Sequence, residues 1–305
     1  MKPGVGVIGL GIMGSAMSAN LMRAGYRVIG YDLLAKRRQA HRRAGGDVAP
    51  SCRAVARGAG TIVCSLPSSD ALLATATELA AARSEDRPRH APRPQQIVVE
   101  TSTLPIAVKQ EARRRLAAAG TTLLDCPLSG TGVQARAKDL VVYASGDRRA
   151  YLRAVPVLEA FARAHYFVGA FGAGSKMKFV ANLLVAIHNV AAAEALVLAM
   201  KAGLDPALVV KVIGDGAGSS RMFQVRGPLM VKGDYSDAMM KLEVWQKDMT
   251  IIGDFARDMG CPTPLFAASA PVYTAANAIG RPHDDTAAVC SVLERMANHH
   301  RKRSA

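Results

Sequence analysis

The stretch VIGLGIMGSAMSANLMRAGYRVIGYD, residues 7–32, decides how the amino-terminal half of the chain is interpreted. Gly9, Gly11 and Gly14 stand in G-x-G-x-x-G spacing after an apolar run, and Asp32 ends the next apolar run. A strand, a glycine turn, a helix and a second strand are expected, which puts the turn at a helix amino terminus, where free N–H groups and the helix dipole favour phosphate. The stretch therefore predicts a dinucleotide-binding turn.

The glycines and the aspartate have distinct expected tasks. Gly9 permits the tight turn, Gly11 lets a pyrophosphate approach the backbone, and Gly14 lets helix and strand pack closely. Asp32 would accept hydrogen bonds from the adenosine ribose and repel a 2′-phosphate, so NAD is favoured over NADP. Residues 36–38, Lys-Arg-Arg, follow closely and would soften that repulsion, so NADP stays open. The expected cofactor contacts in this stretch are Gly9, Leu10, Gly11, Ile12, Met13, Gly14 and Asp32.

Length and patterning predict two domains. The chain has 305 residues, 50% of them hydrophobic, which is enough for a large core. Up to about residue 169, short β-branched runs, among them DLVVYAS at residues 139–145, alternate with helix-length segments, the pattern of a doubly wound, mostly parallel sheet. A single helix is expected over residues 175–202. The next helix is expected to start with Asp205 as its cap and Pro206 as its first residue, and the remaining segments are helical in period. We therefore predict a Rossmann domain over residues 1–169 and an all-helical domain over 170–305, with a surface loop at residues 83–95.

Charge, cysteines and hydropathy narrow the class of protein. The net charge is +15, but the arginines are dispersed, so nucleic-acid binding is not favoured. The five cysteines are scattered and none lies in a metal-like spacing, so no metal site is expected. The apolar run at residues 179–200 contains Asn182, His188, Asn189 and Glu194, which predicts a core helix rather than a membrane span. With no signal-like segment at the start, we expect a cytoplasmic protein.

Three further loops follow predicted strands. Leu66 and Pro67 follow the run TIVCSL, Thr103 follows QIVVET, and the segment DCPLSGTG, residues 125–132, follows TTLLDC. Ligands of open α/β sheets collect at the carboxyl ends of the strands, so these loops are expected to face the cofactor. Ser129 offers a hydroxyl, and the N–H groups of Gly130 and Thr131 suit a carboxylate. We therefore expect Ser129, Gly130 and Thr131 to bind substrate.

The segment GAGSKMKFVANLL supplies a candidate acid/base. Lys178 and Asn182 are four residues apart and share one face of the predicted long helix. A lysine on a largely apolar helix is partly desolvated, which favours its neutral form and suits proton transfer. Lys176 is the competitor, but it lies about 200° around the helix from Lys178 and has no asparagine partner.

Together these motifs resemble the β-hydroxyacid dehydrogenase family, which includes 3-hydroxyisobutyrate dehydrogenase and tartronate semialdehyde reductase. The glycine turn is similar to the family's nucleotide fingerprint, DCPLSGTG to its substrate motif D-x-P-x-S-G-G, and GAGSKMKFVANLL to its G-x-G-x-x-x-K-x-x-x-N. EVWQKDM is similar to its late K-D-L element. The resemblance covers essentially the whole chain and implies a 6-phosphogluconate dehydrogenase-like fold.

The resemblance also implies roles for single residues. Lys178 would be the general acid/base, Asn182 would orient substrate or lysine, and Ser129 with Gly130 would hold the substrate carboxylate. Lys247 would contact the nicotinamide end of the cofactor, and Leu66, Pro67 and Thr103 would line the cofactor site. The expected activity is hydride transfer between NAD and a small β-hydroxy acid, in a homodimer or homotetramer joined through the helical domain.

Two departures from the family pattern and two rival functions stay open. Thr131 replaces the second glycine of S-G-G, which puts the usual substrates in doubt, and Glu100 stands where aspartate is common. Arg221 is a candidate for a second anionic group of the substrate, against the simpler interpretation of a surface arginine. A semialdehyde or imine reductase of the same fold is one rival; a non-catalytic NAD-binding module associated with nucleic acid is the other.

Overall fold

The computed structural model describes residues 2–85, 95–279 and 281–301. It divides into two compact units, Met1–Lys178 and Phe179–Ala305. The first unit thus ends at Lys178 rather than at the expected residue 169. It takes in the first turns of the long helix because the Ser175 N–H and hydroxyl bond to Asp125 in the sheet of that unit.

The first unit contains a six-stranded sheet whose strands run in the order β3-β2-β1-β4-β5-β6. All its neighbouring pairs are parallel, which confirms the predicted doubly wound arrangement. The strands are β1 Lys2–Ile8, β2 Tyr26–Tyr31, β3 Asp47–Val48, β4 Thr61–Cys64, β5 Gln96–Glu100 and β6 Thr121–Asp125. The helices between them are α1 Ile12–Arg23, α2 Ala35–Arg43, α3 Cys52–Gly58, α4 Ser69–Glu85 and α5 Ile106–Ala118.

Burial on both faces explains why these strands are continuous apolar runs. Every residue of β5 is buried, and Val63 of β4 and Val99 of β5 have no exposed surface. One face packs against α1 and the other against α3, α4 and α5. A parallel sheet covered in this way needs branched side chains on successive residues rather than alternate ones.

A second, smaller sheet departs from the expectation. The run DLVVYAS was expected to continue the main sheet, but its strand β8 (Val141–Ala144) lies in a three-stranded sheet with the order β7-β8-β9. It pairs antiparallel with β7, Leu128–Ser129, and parallel with β9, Ala164–Phe167. Two helices complete this part, the short α6 Gly132–Arg136 and the longer α7 Arg148–Phe161. The sequence between residues 125 and 132 therefore turns away from the main sheet just after β6.

The second unit is helical in its described residues. Helix α8, Ala173–Lys201, begins in the first unit and continues into the second, close to the predicted range. It is followed by α9 Pro206–Gly214, α10 Arg221–Lys232, α11 Leu242–Asp258, α12 Pro264–Ala278 and, after a short 3₁₀ turn, α13 Val289–Met296. Asp205 caps α9 by accepting from the N–H groups of Ala207 and Leu208, and Pro206 is its first residue, as predicted.

Two expectations about segments need adjustment. The surface loop predicted at residues 83–95 begins later, because α4 continues to Glu85, and residues 86–94 lie outside the described part of the chain. Helix α8 has the length and apolar composition of a membrane span, with a mean hydropathy of 1.9 in its most apolar window. Only 44% of that window is buried, so α8 is less completely covered than the core helix we expected.

Candidate active site

Five neighbouring parallel strands, β2, β1, β4, β5 and β6, end level with one another. Tyr31 of β2 pairs with Ile8 of β1, Ile8 with Cys64 of β4, Cys64 with Glu100 of β5, and Glu100 with Asp125 of β6. The residues that follow each strand therefore lie along one edge of the sheet. This edge brings together the glycine turn, Asp32, the segment after β4, the segment after β5 and the start of the DCPLSGTG segment. Between β1 and β4 the strand order reverses, which is where open α/β sheets bind ligands.

The glycine turn has the geometry that its spacing predicts. Gly9 has φ +87°, and a Cβ there would lie 2.1 Å from the Ser65 carbonyl oxygen. A Cβ at Gly14 would lie 1.8 Å from the Gly9 carbonyl oxygen, so helix α1 packs directly on the turn. At Gly11 the nearest atoms to a Cβ are those of the Arg37 guanidinium, 3.9 Å away. Gly11 caps α1 without a side-chain hydrogen bond, so no cap side chain competes with an anion for the first N–H groups of α1.

Asp32 is held firmly at the end of β2. Its Oδ2 accepts from the Leu10 N–H at 2.8 Å and its Oδ1 from the Leu34 N–H at 2.8 Å. The Arg37 guanidinium lies 3.2 Å from Oδ2, and the residue as a whole is only 6% exposed. A carboxylate oxygen has a second lone pair, so the two N–H bonds leave acceptor capacity for ribose hydroxyls. The basic residues expected nearby do lie beside it, since Arg38 donates to the Asp32 carbonyl oxygen.

The segments after β4 and β5 are joined to each other. The Leu66 N–H donates to Ser102 Oγ at 2.8 Å, and Thr101 Oγ1 donates to the Cys64 carbonyl oxygen at 2.7 Å. Leu66 and Thr103 are half-buried and Pro67 is exposed. Leu66, Pro67 and Thr103 therefore follow strands that end at the same edge of the sheet as the glycine turn, which we call the binding edge. Their contact with a cofactor stays a prediction.

The DCPLSGTG segment differs from its expectation at Thr131. Thr131 caps helix α6: its Oγ1 accepts from the Gln134 N–H, and the Gln134 side chain accepts from the Thr131 N–H at 3.0 Å. The Thr131 N–H that was expected to be available for a carboxylate is therefore occupied. The turn lies close to the glycine turn, because a Cβ at Gly132 would be 2.5 Å from Ile12 Cγ2. Ser129 is half-buried in β7, and Gly130 has φ +135°.

The two candidate lysines on α8 differ in burial. Lys176 is exposed, whereas Lys178 is partly buried. The turn before Lys178 is fixed to the sheet, since the Gly174 N–H donates to Ser145 Oγ and the Ser175 N–H donates to Asp125 Oδ2. Lys178 is thus attached to the binding edge through its own helix.

In the second unit, Asp248 joins two of the predicted residues. The Asn182 amide nitrogen donates to Asp248 Oδ2 at 3.0 Å, and Lys247 Nζ lies 2.9 Å from Asp248 Oδ1. Asn182 and Asp248 are both buried, while the Lys247 side chain is 37% exposed. Because the Asn182 amide nitrogen donates to Asp248, the amide oxygen points away from that carboxylate. Arg221, the other candidate, is the exposed first residue of α10.

Sequence reasoning missed Asp248 and a group of buried residues around Lys109. The K-D-L element pointed to Lys247, although the adjacent aspartate is the residue that contacts Asn182. Lys109 lies in a helix rich in exposed charge, so nothing in its surroundings marks it as buried. Among the described residues no group of three or more His, Cys, Asp or Glu side chains is arranged to hold a metal ion.

Two family models together match almost the whole chain. The model of the NAD-binding domain of 6-phosphogluconate dehydrogenase matches residues 4–169. The model described as NAD-binding of NADP-dependent 3-hydroxyisobutyrate dehydrogenase matches residues 172–293. The two matches define the chain as a nicotinamide-dependent oxidoreductase.

Individual relatives agree with the models. An L-threonate dehydrogenase of Cupriavidus necator is 36% identical over 66% of this chain and 67% of its own length. A 2-hydroxy-3-oxopropionate reductase of Escherichia coli is 32% identical over 67% of this chain and 69% of its own. The solved structure of a Mycobacterium tuberculosis 3-hydroxyisobutyrate dehydrogenase with L-serine is 28% identical, with a TM-score of 0.84 over 96% of this chain and 99% of that one. The chain belongs to the 3-hydroxyisobutyrate dehydrogenase family.

Proposed function

We propose that the protein catalyses reversible hydride transfer between NAD and a small β-hydroxy acid, with Lys178 as general acid/base. The observation that carries the proposal is the position of Lys178: partly buried, and one helical turn after a residue bonded to the sheet edge where the glycine turn lies. A lysine fixed at that edge is suited to transfer the proton that accompanies hydride transfer.

The residues divide the chemistry among them. When bound, the nicotinamide supplies the hydride acceptor or donor. In oxidation, Lys178 accepts the proton of the substrate hydroxyl; in reduction, its ammonium donates that proton and stabilises the developing alkoxide. Ser129 Oγ and the Gly130 backbone bind the substrate carboxylate. Asn182 orients the reacting group through its amide oxygen, which Asp248 holds in one direction.

The Thr131 cap limits which substrates fit. Its N–H donates to Gln134 and its Oγ1 accepts from the Gln134 N–H, so Thr131 offers the substrate its methyl group and its hydroxyl proton but not its backbone N–H. A panel of 3-hydroxyisobutyrate, L-threonate, glycerate, 3-hydroxypropionate and L-serine, each with NAD and NADP, tests the substrate class. We expect turnover with at least one of these hydroxy acids; turnover of none of them, with the reverse reaction on the matching semialdehydes also absent, would overturn the proposal.

We also propose NAD as the preferred cofactor. A bound 2′-phosphate would face the Asp32 carboxylate, which is fixed at the end of β2 by two N–H bonds. Arg37 offsets this repulsion only in part, since its guanidinium is already engaged with Asp32. Direct titration with NADH and with NADPH, followed by fluorescence, should give tighter binding of NADH; equal or tighter binding of NADPH would assign the preference to Arg37 and Arg38 instead.

Removal of the lysine amine gives the decisive test. We expect Lys178→Ala to bind NADH as the parent does and to lose about 10²–10⁴-fold in kcat, the usual contribution of a positioned acid/base. Lys176→Ala is the matched control, because it removes an exposed lysine from the same turn. A Lys178→Ala enzyme with turnover within a few-fold of the parent would overturn the proposed mechanism.

Finally, we propose a cytoplasmic homodimer or homotetramer. Large apolar side chains stay exposed along α8 and α9: Val180, Leu184, Leu198, Leu208 and Val212, with Leu204 between the helices. Several exposed large apolar side chains on consecutive helices favour a subunit interface there. Sedimentation velocity at several concentrations should give a dimer or tetramer, and a monomer at micromolar concentration would contradict this part of the proposal.

A further inference from the structure

A fully buried charge cluster lies beneath the binding edge. Lys109 of α5 has no exposed surface, and its Nζ lies 2.6 Å from Glu100 Oε2 and 2.8 Å from Asp125 Oδ1. It also donates to the Ser102 carbonyl oxygen at 2.7 Å. Burial alone would lower the pKa of Lys109, but Glu100 and Asp125 together raise it above its ordinary value. The lysine is therefore charged between two carboxylates that are themselves fully buried.

The cluster contains two acidic side chains and one basic side chain. The amino terminus of α8 supplies the positive partial charge that offsets the difference. One ammonium faces two carboxylates, which leaves a net single negative charge in the interior. Asp125 Oδ2 accepts from the Ser175 N–H, and Oδ1 accepts from the Ser175 hydroxyl, both at 2.8 Å. The amino terminus of α8 carries a partial positive charge, so it is the natural partner for the excess.

Close packing prevents any other arrangement of this turn. A Cβ at Gly174 would lie 2.4 Å from the Tyr143 carbonyl oxygen and 2.7 Å from the Asp125 carbonyl oxygen. The Gly174 N–H donates to Ser145 Oγ, which in turn donates to Asp125. The first turn of α8 is thus fixed both along the helix axis and in rotation about it.

We propose that Glu100, Lys109 and Asp125 are positioning residues that set the direction of the Lys178 side chain through Ser175. Ser175 and Lys178 are three residues apart, so they are neighbours on one face of α8. The bonds of Ser175 to Asp125 turn that face toward the carboxyl end of β6. A helix free to rotate by even a fraction of a turn would carry the Lys178 amine away from the reacting hydroxyl. This inference rests on the proposed role of Lys178.

Ser175→Ala is the mildest test. It removes the hydroxyl bond to Asp125 and keeps the N–H bond, the helix and all charges. We expect kcat to fall about tenfold or more, because small misplacements of a catalytic group are costly, while KM and the Kd for NADH change by less than about twofold. Ser269→Ala is the matched control: Ser269 is also a buried helical serine, and its hydroxyl donates to the Phe266 carbonyl oxygen at 2.8 Å. Its kcat should equal that of the parent.

A double-variant cycle shows whether the loss passes through the lysine. If Ser175 acts by placing Lys178, Ser175→Ala should cause no further fall in kcat, within about twofold, in an enzyme that already carries Lys178→Ala. A kcat for Ser175→Ala equal to that of the parent would overturn the inference, as would an equal loss with and without Lys178. Both results leave the proposed function standing, provided that Lys178→Ala shows its expected loss of kcat. A fully active Lys178→Ala enzyme would remove the proposed function and this inference together.

The charged members of the cluster give a second test that does not depend on Ser175. Asp125→Asn keeps the shape of the side chain but replaces one acceptor oxygen with a donor, so the side chain can no longer accept both at Oδ1, from the Ser175 hydroxyl and Lys109, and at Oδ2, from the Ser175 N–H. We expect kcat to fall further than in Ser175→Ala, with NADH still bound within about threefold of the parent, since the glycine turn is untouched. Loss of NADH binding in step with kcat would mean that the cluster only maintains the fold of the edge, and would overturn the inference.

Discussion

Asp125 in the first unit and Asp285 in the second are carboxylates with no exposed surface that join segments far apart in the sequence, and the two are balanced differently. In the first unit, Asp125 shares the Lys109 ammonium with Glu100, so the cluster has an excess negative charge facing a helix start. In the second unit, Asp285 pairs with Arg226 alone, 2.5 Å apart, and neither is more than 4% exposed. The remaining acceptors of Asp285 are occupied by three N–H groups, those of Met239, Met240 and Ala287.

The difference shows what each cluster can do. The Asp285 pair is neutral and its hydrogen bonds end in backbone of its own unit, so it contributes to folding. The Asp125 cluster is completed only when the start of α8 supplies N–H groups, so folding of the sheet and placement of Lys178 are coupled. A buried pair is not by itself a large source of stability, but loss of one partner is costly. Substitution of the basic residue in each cluster therefore compares how much each cation contributes to the free energy of unfolding.

The largest expected effect is that of Lys109→Met. It leaves Glu100 and Asp125 facing each other without a cation, and we expect a loss of about 4–5 kcal/mol in the free energy of unfolding, near the upper end for a broken buried pair. Arg226→Met should cost less, about 3 kcal/mol, because Asp285 keeps three N–H donors. Urea unfolding followed by circular dichroism measures both. The single tryptophan, Trp245, lies buried in the second unit, so its fluorescence reports Arg226→Met separately.

The contrary result is equally informative. If Lys109→Met cost no more than Arg226→Met, the second carboxyl group of the first cluster would add nothing to the cost of removing its cation.

A smaller effect is expected when charge is removed in pairs. Glu100→Gln combined with Lys109→Met leaves one buried carboxylate, Asp125, still bonded to Ser175. We expect the double variant to be more stable than Lys109→Met alone, by about 1–3 kcal/mol, the usual coupling between residues in one network. Urea unfolding of the four proteins of the cycle measures the coupling; a double variant less stable than Lys109→Met would show that the Glu100 hydrogen bond to the Ser102 N–H matters more than its charge.

These two clusters also show which features could not be predicted from the sequence. The glycine turn, the Asp205–Pro206 start of α9 and the length of α8 were all predicted, because each depends on backbone rules that act over a few residues. Lys109 was not recognised as buried, since the helix AVKQEARRRLAA looks like an exposed, charged one. Its partners lie on two different strands, and no local spacing connects them.

The small second sheet was missed for a related reason. Strand β7 is two residues long, Leu128–Ser129, which is too short for a periodic signal. The run DLVVYAS has the composition of a buried strand but does not say which sheet it joins. In the candidate site, the positions of Lys178 and Asn182 on one helix were predictable from spacing, whereas the Asp248 contact to Asn182 spans 66 residues and required the structure.

The smallest expected effect concerns a buried group with no ion pair at all. His41 of α2 is 6% exposed, its Nδ1 lies 3.2 Å from Ser18 Oγ, and its ring fills the space left by Gly30 and Gly46. Burial lowers the pKa of His41 below its ordinary 6.5, because the charged ring would be desolvated. The unfolded chain therefore binds a proton more readily than the folded one, so the stability that neutral His41 provides is complete above pH 6.5 and falls as the pH drops below it.

Urea unfolding between pH 7.5 and pH 5 should show that decline in the parent and less of it in His41→Gln, which has no ring to protonate. An equal decline in both proteins would mean that other groups cause the acid sensitivity, and that a buried histidine tolerates charge here as well as the paired Lys109 and Arg226 do.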